Sequence, residues 1–124
     1  MKYALLIAFC SLVIFSCEKW HLNDYRRKFV GKYEIERSEG CCTCPPEITH
    51  ITLSIDYGSN DSTVTILNDE LFIKKSGDIQ GYNVSYGYYL GKFKGDSIQV
   101  FHTNGSLGCQ YVISYKGPRI SKKP

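Results

Sequence analysis

No stretch of this chain is long and apolar enough to cross a bilayer as a helix. The longest, Ala4 to Phe15, falls short of the ~20 residues that a span needs. Neither sign of charge dominates. The formal balance of +3 is too mild for a nucleic-acid surface, which a strongly basic domain would announce. The chain also lacks a G-x-S-x-G elbow, a P-loop, a dinucleotide glycine pattern and an H-E-x-x-H helix. Its three histidines, His21, His50 and His102, are scattered, and acids such as Asp56, Glu70 and Asp96 sit beside turns where solvation accounts for them. These absences leave an enzyme without a constellation, so no catalytic residue and no cofactor is expected.

What is present begins at the N-terminus. Lys2 precedes the apolar run, which has the length and basic flank of a secretory signal. Ile14-Phe15-Ser16-Cys17 follows: an aliphatic residue at −3, a small one at −1, then cysteine. The segment resembles a bacterial lipobox. The resemblance implies cleavage before Cys17, a diacylglycerol on its thiol, and retention on a membrane of the cell envelope, the outer membrane being the expected one. Two or three acyl chains, each contributing ~0.8 kcal/mol per buried methylene, would hold such a protein durably. On this reading residues 1–16 are signal, 17–22 a lipidated tether, 23–118 the folded domain and 119–124 a solvated tail. Losing Lys2 leaves 14 basic against 12 acidic residues.

The domain starts with a short helix that Asn23 or Asp24 can cap. Arg26, Arg27 and Lys28 are expected at its solvated C-terminal end, where the helix dipole favours cations, with Gly31 as a left-handed stop. The period then changes to two. "VGKYEIE" reads as a first strand, and "HITLSIDY" sets Ile51, Leu53, Ile55 and Tyr57 against His50, Thr52, Ser54 and Asp56. "STVTIL", "LFIKK", "YNVSYGYYL", "DSIQVFH" and "CQYVISY" are further strand-like runs, separated by "YGSNDS", "LNDE", "KSGD", "KGD" and "TNGSLG". Short strands joined by tight turns without intervening helices predict an all-β antiparallel meander. Gly87, Gly91 and Gly95 are expected at bends or bulges of a curved sheet.

A short helix, a Gly-x-aromatic start to the first strand (Gly31-Lys32-Tyr33) and a meander are similar to the lipocalins across residues 23 to 117. That resemblance implies an up-and-down barrel with an apolar cavity and Tyr33 plugging one end. A barrel this small could instead be filled by its own side chains.

Six cysteines remain to be placed, three of them inside "GCCTCPPE". With Cys10 in the signal and Cys17 on lipid, Cys41, Cys42, Cys44 and Cys109 form an even set in an exported chain, where disulfides persist. Three pairings are allowed. Cys41–Cys44 with Cys42–Cys109 strains the backbone least, and geometry must decide between them. In a barrel with an even strand count the last strand lies beside the first, which would bring Cys109 near Cys42. Zinc would want a second paired knuckle, and a redox C-x-x-C would want a βαβ setting. Neither is present, so no metal is expected.

The function expected first is a non-enzymatic binding module, tethered to the membrane by its lipid. It would hold a small apolar or amphipathic ligand, with Tyr33, Tyr86, Tyr88 and Tyr111 as candidate wall residues. The alternative is an inhibitor or interaction module, a filled barrel presenting its surface to an envelope protein.

Overall fold

The computed structural model describes residues 23–83, 87–104 and 110–122. The signal segment, Cys17, Tyr86 and Cys109 lie outside them. The described chain opens with a 3-10 turn, Tyr25–Lys28, and continues as eight strands. These are β1 (Gly31–Gly40), β2 (Glu47–Tyr57), β3 (Thr63–Ile66), β4 (Asp69–Ile73), β5 (Asp78–Asn83), β6 (Gly87–Lys94), β7 (Ser97–Asn104) and β8 (Tyr111–Lys122). Each strand pairs antiparallel with the next, and β8 returns to β1, closing an all-β barrel. Closure removes both free edges, which would otherwise expose unpaired backbone groups.

The observed boundaries depart from the expected ones in three places. The run "YNVSYGYYL" is two strands: β5 ends at Asn83 and β6 begins at Gly87. The final strand passes residue 118 and ends at Lys122, because its partner β1 begins low enough for Gly31 to pair with Lys122. Gly31 itself starts β1 instead of stopping a helix. Its φ of +146° and a would-be Cβ only 2.2 Å from the Ser121 carbonyl oxygen explain why glycine stands there.

Alternation along the strands sends one side chain in two to the interior. Tyr33 and Ile35, Leu53 and Ile55, Val64 and Ile66, Leu71 and Ile73, Ile79, Tyr89 and Phe93, Ile98 and Val100, and Tyr115 come from successive strands and are at most 5% exposed. Among the described residues these side chains pack against one another as one core through the lower and middle interior. Burying each large aliphatic or aromatic group contributes about 1.5–3 kcal/mol relative to exposing it. The β3–β4 hairpin turns through Leu67 and Asn68, both at positive φ, as the tight type I′ connection requires.

The 3-10 turn plugs the end of the barrel at which β1 starts, here called the lower end. Phe29 stacks on Phe93 with ring centroids 4.7 Å apart, and the Tyr33 hydroxyl donates to the Phe29 carbonyl at 2.6 Å. Tyr25 reaches the Ile73 carbonyl at 2.7 Å. Arg119 donates to the Lys28 carbonyl at 2.6 Å and pairs with Asp96. Arg26, expected in solvent, is buried at 3% exposure. Its guanidinium bonds Asp24, the Thr63 carbonyl at 2.9 Å and the Asn60 carbonyl, and lies 5.1 Å from the Tyr57 ring centroid. A single 3-10 turn has little dipole to offer a cation. The Asp24 carboxylate and the carbonyls of Asn60 and Thr63, at the turn into β3, offer more.

Burial pushes the Tyr33 hydroxyl up to about 12. The folded state therefore keeps a proton that the unfolded chain releases near pH ~10. Stability from this group is complete below pH ~10 and declines as the pH rises toward about 12, by up to ~1.4 kcal/mol per pH unit. Tyr89 is shifted the same way, by burial and then by its bond to Asp69. Alkaline unfolding followed by tyrosinate absorbance should be steep above pH ~10, and Tyr33→Phe should make it shallower. An unchanged slope in that variant would contradict the assignment.

Candidate interaction surface

The outward-facing positions divide the barrel into two unlike walls. On β1 and β2 they include Lys32, Glu34, Glu36, His50, Thr52 and Ser54, all exposed and polar, with Ile48 beside the upper turn the exposed apolar exception. The same phase on β4, β6 and β7 carries Phe72 at 57% exposure, Tyr88 at 45%, Leu90 at 54% and Phe101 at 39%. Register gathers these residues. Phe72 is opposite Gln80, Gln80 opposite Leu90, and Leu90 opposite Phe101, so a single row crosses four strands. Tyr88 is two residues from Leu90 on the same face. Soluble surfaces scatter such residues singly, and a gathered set marks a contact site.

One pleat lower, about 7 Å along the strands, the row changes character. Asp78 faces Lys92, Lys92 faces Gln99, and Gln99 faces Lys116. Lys74 and Lys94 stand below these. Gln80, Leu90 and Phe101 of the upper row, the whole of the lower row and Pro118 line a groove of about 840 Å³ in the outer wall, with Phe72 beyond its margin. Asp78 is its sole carboxylate among the described lining residues. A hydrogen bond from Ser76 at 2.5 Å and then Lys92, 3.2 Å away, hold its pKa below the ordinary value. The groove is thus apolar on one margin and cationic on the other.

The upper mouth is polar and looks inward. Tyr89 and His102 stack with centroids 4.1 Å apart, and Tyr89 donates to Asp69 at 2.5 Å. His102 is 9% exposed, and its Nε2 has no hydrogen-bond partner among the described residues. Arg37 pairs with Glu39, which also accepts from Tyr111.

The structure does not gather the tyrosines singled out by sequence round a shared cavity. Tyr33 is in the lower interior, Tyr111 at the upper rim on the inward phase of β8, and Tyr88 on the outer wall. Tyr86 lies outside the described residues. Sequence reading missed Phe72, Leu90 and Phe101 as surface groups, since an apolar residue in a strand-like run reads as core until register is known. Among the cysteines, Cys41 and Cys44 form a disulfide across the β1–β2 turn at the upper end, as expected. The Cys42 sulfur lies 3.8 Å from the carbonyl oxygen of Gln110, the neighbour of Cys109. Among the described residues there is no group of three or more His, Cys, Asp or Glu side chains placed to hold a metal ion.

Comparison of the chain with models of protein families, with curated proteins and with solved structures finds no match in any of the three.

Proposed function

We propose that this chain is a non-enzymatic, membrane-tethered interaction module of a bacterial cell envelope, which engages an envelope protein through the apolar wall of β4, β6 and β7. The observation that carries the reading is the contrast between the two walls. The outward positions of β1 and β2 are polar except for Ile48 at the upper end, whereas Phe72, Tyr88, Leu90 and Phe101 gather on β4, β6 and β7. The close-packed core of the described residues favours a partner at the surface over a small ligand inside.

The tether belongs to the same reading. The described chain begins at the lower end, and the disulfide turn is at the upper one. With lipid on Cys17, the seven residue steps from the anchor to Asp24 could span at most roughly 25 Å at ~3.5 Å each. That reach lets the barrel present its side wall above the head groups.

A photo-cross-linking residue at position 90 or 101 should trap a discrete envelope protein, and one at position 52 on the polar wall should not. Equal trapping from both walls would sink the reading. So would an organic cargo, released on denaturation and indifferent to changes at the wall, because it would return the site to the interior.

A second staple, Cys42–Cys109, completes the cysteine account, and the approach of Cys42 to Gln110 supports it. Cys42→Ser should then expose one additional thiol to a thiol reagent under non-reducing conditions. If the thiol count does not rise, the pairing is wrong.

A further inference from the structure

We infer that the groove across β5 to β8 seats an acidic, apolar segment of the partner protein, its apolar side chains on Leu90 and Phe101 and its carboxylates on the lysine row. The inference rests on the interaction reading and specifies the chemistry of the partner.

Charge complementarity chooses the occupant. Lys74, Lys92, Lys94 and Lys116 line the groove against the single carboxylate of Asp78, which is already engaged by Lys92. Lys92 is itself half exposed, so its ammonium still reaches an incoming anion. A second copy of this chain would bring the same lysine row with it, and like charges in register repel. A concave groove of about 840 Å³ also suits a protruding segment better than a flat bilayer surface. The spacing narrows the segment further. The apolar and basic rows are adjacent, one pleat or about 7 Å apart. An occupant must therefore carry its apolar and acidic groups on adjoining faces, as an amphipathic strand or helix does. An exposed ion pair contributes only ~0.2–1 kcal/mol. Specificity thus needs the apolar contacts as well, and the lysines add discrimination against basic segments.

The test is a selection of random 12-residue peptides on the mature chain from residue 17, carrying Cys17→Ser and exported behind a cleavable signal peptide so that neither lipid nor apolar signal is retained, followed by affinity measurement of the selected peptides. The expected winners carry net negative charge and at least three large apolar residues. They should weaken about tenfold or more against Lys94→Glu/Lys116→Glu, and also against Leu90→Ser/Phe101→Ser. Lys32→Glu on the polar wall should leave them unchanged. Each variant is first shown to melt like the parent.

Winners without an acidic bias, or winners insensitive to both pairs of changes, overturn the inference. So does dimerisation of the parent that Phe101→Ser abolishes, which would make a second copy the occupant. Binding of the parent to vesicles containing phosphatidylglycerol, lost in Lys94→Glu/Lys116→Glu, overturns it in favour of a membrane. A protein trapped from positions 90 and 101 would still uphold the interaction reading when the peptide result fails, so the two failures are distinguishable.

Discussion

Arg26→Ala is expected to destabilise the protein by about 3–5 kcal/mol, the cost typical of removing one partner from a buried ion pair. The side chain is 4% exposed and that of Asp24 is 11% exposed. Its loss removes the cation facing the Asp24 carboxylate and one donor from each of the Asn60 and Thr63 carbonyls around the space it leaves. Against a total stability of ~5–15 kcal/mol for a domain, this is a large fraction. The urea midpoint should fall by about 2–3 M if the slope is near ~1.5 kcal/mol/M. Arg26→Lys should recover little, because one ammonium cannot bond Asp24 bidentately while reaching both carbonyls. Arg27→Ala, an exposed neighbour in the same turn, should change stability by no more than ~0.5 kcal/mol. If Arg26→Ala behaved like Arg27→Ala, the turn would not be fastened to the barrel as described.

Gly117→Ala should be nearly as damaging for a different reason. A Cβ at Gly117 would be 1.8 Å from the Glu34 carbonyl oxygen, 2.8 Å from its carbonyl carbon and 3.0 Å from the Ile35 Cα. All three atoms are backbone, so no side chain can swing aside. The strain falls on the β1–β8 seam, the one that closes the barrel. A loss of about 3 kcal/mol is expected, at the upper end of what overpacking usually costs. Hydrogen exchange should show the seam amides losing protection before those of the β6–β7 pair. Gly95→Ala is the matching control. That residue has φ of +56°, and a Cβ there would meet nothing within 4 Å, so only the left-handed backbone opposes alanine, at about 1 kcal/mol. A Gly117→Ala variant no less stable than Gly95→Ala would refute the close approach.

Much of the barrel was legible because period-two alternation is a local signal. Leu53 and Ile55 are buried where "HITLSIDY" puts them, and Thr52 and Ser54 are exposed. The separation of β5 from β6 was not legible. No Pro, Gly or Asp interrupts Asn83 to Tyr86, and tyrosines lie on both sides of the break. The burial of Arg26 was hidden for another reason. The carbonyls that draw it inward belong to residues 34 and 37 positions away, and nothing within the "YRRK" turn reports them.

The sequence by itself determined most of the elements, strands from alternation and turns from glycine, asparagine and aspartate, and it narrowed the N-cap to Asn23 or Asp24 and the pairings to three, from which the structure selects Asp24 and Cys41–Cys44. Each depends on backbone preferences and contacts within a few residues, which a linear reading contains. Only the tertiary structure decided which face of each strand turned inward at the ambiguous runs, which described side chains share the buried core, and that Leu90, Phe101 and the lysine row share one groove. Those facts depend on register between strands. A shift of one residue in pairing would send every side chain of a strand to the other face, and closure of β8 on β1 is what excludes that shift here.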